Sequence, residues 1–290
     1  MNAILELQDS LPQRLRDASV PVLHQGVPKL IHSLSDNDIG VAEVAAVVER
    51  FPSVTLRLIA LANSVWSSPA SPVTSLPMAC SRLGLNVVRS VSIALAVASP
   101  FDPKRCPGFD VDRYWSSALL TADTAYALAE TLPNHADLDA QSVRTAGLLH
   151  NIGLVWMASH MPMEVAGVLK LKAADPDASL SGLMREHIGL DYASAGAYIG
   201  ATWRLPDPIV LSMQRHDGDY QGEAWPTVRL VRRACTMVSV LLDTDSGERQ
   251  SGKLAMLRDG DAGSETAAML DEIRGRVAST RALVQELFAD

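Results

Sequence analysis

Aromatic residues make up only 5% of this 290-residue chain, and nowhere do polar and apolar residues alternate as a half-buried strand requires. Sheet proteins lean on aromatic and β-branched side chains. Here Ala, Leu and Val dominate the apolar set, which favours helices packed on helices. Cysteine is scarce too. Cys80, Cys106 and Cys235 are far apart and odd in number, so a disulfide framework would strand one thiol, and no CxxC spacing offers a zinc site. The expectation is a reduced, cytoplasmic protein. Long apolar runs are missing: the longest, around Val91–Ala98, lies between Arg89 and Asp102, well short of the ~20 residues a membrane-crossing helix needs. The opening residues, MNAILELQDSLPQRLRD, carry acidic groups where a secretory signal would have a basic start and an apolar core. Neither export nor a membrane partner is expected. Positive charge is also in short supply. The formal net charge is −8, which repels a phosphate backbone, and the densest basic pair, Arg232 and Arg233, reads as a solvated helix face. Nucleic acid is therefore not an expected partner.

What is present is a hydrophobic fraction of 48%, enough for a sizeable core, arranged mostly at helical spacing. Ile4, Leu7, Leu11 and Leu15 form a stripe over residues 3–17 that Pro12 weakens. Pro28 can open a helix, Asp38 can cap one over Ile39–Arg50, and Pro52 suits the first turn of another reaching Ala62, where Asn63 and Ser64 satisfy backbone groups. Leu76–Leu83 is a further helix, stopped by Gly84, with Asn86 as a cap for Val87–Ala98. That last helix is apolar nearly all round, the pattern of a segment buried in the middle of a bundle. Ser99–Asp110 holds three prolines and a glycine and reads as a linker between two lobes. Beyond it, helical patterns cover Val111–Leu132, Asp139–Ser159, Met163–Ala174, Ser179–His187, Asp191–Trp203, Pro206–His216, Thr227–Leu242 and Ser264–Phe288. A Gly-, Asp- and Ser-rich connection before the last of these reads as mobile. The fold class is all-α and multi-helical, with Trp115, Trp156 and Trp203 in the core.

Two motifs resemble active sites and fail on inspection. Gly247–Lys253 has the GxxxxGK spacing of a phosphate loop, but Leu254 stands where a magnesium-binding Ser or Thr is required, and no strand feeds the loop. No GxSxG elbow or cysteine–histidine pair offers a nucleophile.

The informative segment is Ala146-Gly147-Leu148-Leu149-His150-Asn151-Ile152-Gly153. A histidine followed by a polar residue inside so apolar a helix is unusual. Helical neighbours diverge by about 100°, so both reach one cavity only if that cavity is central. With Asp in place of Asn151 the pair would be imidazole plus carboxylate, a good metal-ligand set. For an isolated histidine the commoner case is a buried ring satisfied by its neighbours.

This segment resembles the LLHDIG signature of the HD-superfamily metal phosphohydrolases, and the span from about Val20 to Val240 resembles the HDOD (HD-related output domain) family. Leu56–Ser64 is similar to the family's LLRLANSA segment. Pro72–Leu76 through Arg82–Gly84 is similar to its V-x-S-I … A-I-x-x-L-G run. Tyr114-Trp115-Ser116-Ser117 is similar to its aromatic-Trp-x-His stretch, Gly196-Ala197 with Trp203–Pro206 to G-A … W-x-L-P, and Arg215-His216 to a common His-His. The order of these matches implies an N-terminal extension (1–19), an HDOD domain (20–240) and a C-terminal loop and helix (241–290). Within the domain, residues 20–100 would form an N-terminal helical lobe and 101–240 a degenerate lobe built on an HD-like helical bundle.

The departures from the family pattern set the functional expectation. The resemblance places the vestigial HD site at Ser117, His150, Asn151, Tyr192 and His216, with His187 as a possible substitute ligand. An amide offers one neutral oxygen where a carboxylate would neutralise and bridge cations, and Ser117 and Tyr192 stand where metal-binding histidines are usual. No metal, cofactor or catalytic residue is therefore expected. The resemblance implies a non-catalytic bacterial signalling module whose partners are other signalling proteins, possible ligation by a small molecule being confined to the vestigial site. The alternative is a metal-dependent nucleotide phosphodiesterase or phosphohydrolase using His150, His216 and His187, which requires those three to converge.

Overall fold

The computed structural model describes residues 26–67, 71–132, 138–217, 225–242 and 263–288. Among these residues every regular element is helical and no strand occurs. The stripe at residues 3–17, the GxxxxGK match and the Gly/Asp/Ser-rich connection lie outside them.

The N-terminal lobe contains α1 (Val27–Leu34), α2 (Val41–Val48), α3 (Pro52–Ala62), α4 (Leu76–Leu83) and α5 (Leu85–Ala98). Prolines open α1, α3 and α4, where a missing N–H costs nothing. Asn63 closes α3 by donating to the Ile59 carbonyl and clamps the following loop through Val73, at 2.7 and 2.8 Å. Two expected caps move. Asp38 does not start α2; the helix begins after Gly40, whose N–H is held by the Glu43 carboxylate at 3.0 Å, while the Asp38 N–H is taken by Asp36. Gly84, at φ +84°, ends α4 so abruptly that α5 starts on the next residue, leaving Asn86 inside its first turn instead of capping it. Every residue of α5 from Val88 to Val97 is buried, because α1, α2, α3 and α4 all pack on it.

After the linker, which holds a 3-10 turn at Pro103–Arg105, come α6 (Val111–Glu130), α7 (Ala140–Leu149), α8 (Ile152–His160), α9 (Pro162–Ala174), α10 (Leu180–Ile188), α11 (Tyr192–Thr202), α12 (Asp207–Arg215), α13 (Pro226–Leu242) and α14 (Gly263–Phe288). Asp110, Asp139, Ser179 and Asp191 cap α6, α7, α10 and α11 by accepting first-turn N–H groups. The spine is α6, packed against α7, α13 and α14. Trp115, Trp156 and Trp203 are core residues. The single helix expected over Asp139–Ser159 is two, broken at His150–Asn151. Gly153, in the first turn of α8, lies on the α11 backbone, where an added Cβ would collide with the Tyr192 carbonyl and the Gly196 nitrogen. The expected solvated face at Arg232 and Arg233 is half-buried instead, and Arg233 donates to Thr266 of α14 at 2.8 Å.

The lobes meet along a polar seam. Gln141 donates to Asn86 at 3.1 Å, the Ser35 and Thr145 hydroxyls pair at 2.8 Å, and Arg144 of α7 reaches toward Ser90 of α5 while pairing with Asp123. The last helix, α14, ties both lobes: Trp66 donates to Ser279 and Arg57 to Leu287, at 2.9 and 2.6 Å. All three cysteines are free thiols. No single helix among the described residues is long and apolar enough to cross a membrane, and the two consecutive pairs that would suffice if joined bend by 115° and 119°.

Candidate functional site

His150, at the break after α7, turns back on its own helix, and its Nδ1 meets the Gly147 carbonyl at 2.6 Å. His216, just past α12, does the same: its Nδ1 meets the carbonyls of Met213 and Ser212 at 2.9 and 3.1 Å. Facing a carbonyl fixes the neutral tautomer with the proton on Nδ1, leaving each Nε2 as an acceptor. The two rings meet edge to face with centroids 4.8 Å apart. Both are buried, and burial disfavours the imidazolium. His150 is pushed down to about 3, first by desolvation and then by the neighbouring His216, against weaker support from the Gly147 carbonyl and Asp217. His216 is lowered as well, by desolvation that Asp217 partly offsets.

Around this pair stands a hydrogen-bonded wall. Tyr192, first residue of α11, lies 5.6 Å from the His216 ring, and its hydroxyl donates to Asp217 Oδ2 at 2.7 Å; Ser181 of α10 donates to the same oxygen. Desolvation raises Asp217, but those two hydrogen bonds, with the Arg185 charge, hold it below the ordinary carboxylate range. The Tyr192 phenol is raised far out of reach of neutral pH by burial and by Asp217. Tyr114 of α6 donates to the Asn151 carbonyl at 3.4 Å. Cys235 of α13 is pushed up to about 12 by burial, so its thiol is inert. The Asn151 side-chain oxygen is buried with no donor among the described residues.

Of the six residues the sequence singles out, the structure gathers His150, Asn151, Tyr192 and His216. Ser117 is half-buried on α6, between Tyr114 and Thr121 on the same helical stripe. His187 does not converge with the histidine pair; it is exposed on α10, as is its neighbour Glu186. Ser181, Asp217 and Tyr114 complete the wall and were not singled out. Asp217 carried a signal in its adjacency to His216 and Tyr114 in the Tyr114–Ser117 stretch; Ser181 carried none.

The HD fold implies a divalent metal held here by histidines and a carboxylate, and the donor set does not fit it. Asn151 brings a neutral oxygen, the Tyr192 hydroxyl is committed to Asp217, and the described residues contain no group of three His, Cys, Asp or Glu placed to hold an ion. Gly153 locks this arrangement, since only a residue without Cβ lets α8 bring the His150–Asn151 break onto the Tyr192 backbone.

Comparison with known proteins agrees with this architecture. A family model described as the HDOD domain matches residues 20–218. An HDOD domain protein of unknown function from Geobacter sulfurreducens is similar in fold, with a TM-score of 0.71 at 22% identity over 98% of each chain. A candidate signal transduction protein from Marinobacter aquaeolei VT8 gives 0.76 at 23% identity, over 99% of this chain and 66% of that one. An uncharacterized protein from Treponema pallidum (strain Nichols) is 24% identical over 217 residues, 73% of this chain; the chain spans 40% of that relative's length. The all-helical architecture and the family match over most of the sequence make one assignment: the chain belongs to the HDOD domain family.

Proposed function

We propose that this chain is a non-catalytic regulatory output module of bacterial signal transduction, acting through protein–protein contacts. The observation that carries the reading is the neutral amide of Asn151, where the family resemblance implies a carboxylate, beside two neutral, buried histidines. Hydrolysis by this fold needs a metal with several protein ligands and an open position for an activated water. Here the acceptors beside the pair are two imidazole nitrogens, one amide oxygen and Asp217, a carboxylate that already takes Ser181 and Tyr192 on one of its two oxygens. Family membership and the described role of the Marinobacter protein support the regulatory half of the reading. A small donor-bearing molecule could satisfy the Asn151 oxygen without altering it.

The test is turnover. Purified protein is incubated with manganese and a panel of cyclic and linear nucleotides, beside its His150→Ala variant. The expected outcome is equal background rates, together with recovery of a signalling protein when the chain is cross-linked in its own host. Nucleotide hydrolysis that vanishes in His150→Ala would overturn the proposal.

A further inference from the structure

A cavity of about 370 Å³ opens between the lobes, and none of His150, Asn151, Tyr192 or His216 lines it. Its walls come from α3 and α5 on one side, from the linker, and from α6, α8 and the last turn of α14 on the other. The floor is apolar: Val54, Trp115 and Val155 are buried, and Phe288 stacks on Trp115 with ring planes 6° apart and centroids at 4.6 Å.

The rim is cationic on an otherwise acidic protein. Arg57 spends one N–H on the Leu287 carbonyl, leaving the rest of its exposed fork available. Lys104 is exposed and has no ion pair among the described residues; among the described lining residues the two cations outnumber one carboxylate, Asp102. The amino end of α3 adds to this polarity. Its cap residue, Phe51, offers no side-chain acceptor, and Ser53 and Val54 of the first turn line the cavity.

Small-molecule sites favour domain interfaces and volumes of roughly 300–1,000 Å³, mostly apolar with a few charged groups that fix orientation. We infer that the inter-lobe cleft binds a small organic carboxylate with a compact apolar body. The body rests on the Trp115–Phe288 floor, and the carboxylate faces Arg57 and Lys104. Such an occupant touches both lobes and the end of α14, so the chain has a ligand input distinct from the histidine pocket.

The probe is 1-naphthoate, titrated calorimetrically against the full chain at low salt, with naphthalene-1-methanol as the uncharged control. Saturable one-to-one binding is expected, weakened roughly tenfold by Lys104→Gln, an exposed site that leaves the fold alone, and at least as much by loss of the probe's charge. Ala98→Trp fills the cavity and should abolish binding with an unchanged thermal melt. No saturable binding, equal binding of the alcohol, or binding indifferent to Lys104→Gln would each overturn the inference.

Discussion

In the N-terminal lobe, Arg89 sits buried on α5 and donates to the carbonyls of Leu34, Asp36 and Ile39, while at the lobe seam the buried Arg144 pairs with Asp123 and lies 4.4 Å over the Tyr126 ring. In the C-terminal lobe, His150 and His216 are just as buried, yet each spends only its Nδ1 proton on a local carbonyl. Desolvation lowers the pKa of all four. A guanidinium starts so high that it stays charged, so it must recruit partners; an imidazole starts near neutrality and gives up its proton instead. The arginines therefore hold the frame by charge, whereas the two histidines are accommodated by losing it.

This contrast is most sharply tested by removing the charged half. Arg89→Ala should cost at least about 3 kcal/mol of stability in urea unfolding, because hydrogen bonds from a charged donor contribute ~1.5–3 kcal/mol each and three carbonyls, of Leu34, Asp36 and Ile39, lose theirs together. A loss near zero would mean that the loop is held by its own backbone.

Gly153→Ala tests the pocket's frame rather than its charge. The methyl group meets the α11 backbone, which cannot rotate away, so overpacking should cost about 2–3 kcal/mol and disturb the Tyr192 resonances in NMR spectra.

A pH series separates the two regions directly. His150 and His216 bind fewer protons folded than unfolded, so stability is fully present above the unfolded histidine pKa near 6.5 and falls as pH drops below it. For His150 the loss continues down to its folded value of about 3. The slope is at most ~1.4 kcal/mol per pH unit for each histidine, the arginines contributing none. Thermal melts from pH 7.5 to 4.5 should show this fall, and a His150→Gln, His216→Gln double variant should flatten it. At pH 7, His150→Gln alone should cost only about 1 kcal/mol, the value of one neutral hydrogen bond.

Much of the fold was legible because its signals are local. Prolines at the starts of α1 and α3 and Gly84 at the end of α4 mark helix limits by backbone chemistry alone. The break at His150–Asn151 was not, since apolar spacing runs through it and the contact beside it, Gly153 on α11, is with a helix some forty residues on. Arg89 read only as the edge of an apolar run; an arginine's long stem looks the same in sequence whether its head reaches water or three carbonyls. Of the site, His150, Asn151, Tyr192 and His216 were readable from family resemblance, whereas Ser181 belongs to it only through tertiary packing.

The central claim is that the His150–His216 pocket has exchanged metal chemistry for a neutral hydrogen-bonded core. Elemental mass spectrometry on protein purified anaerobically and offered manganese, iron and zinc tests it most directly. The account predicts occupancy near zero, with no change in His150→Ala. Stoichiometric metal that disappears in His150→Ala would contradict it.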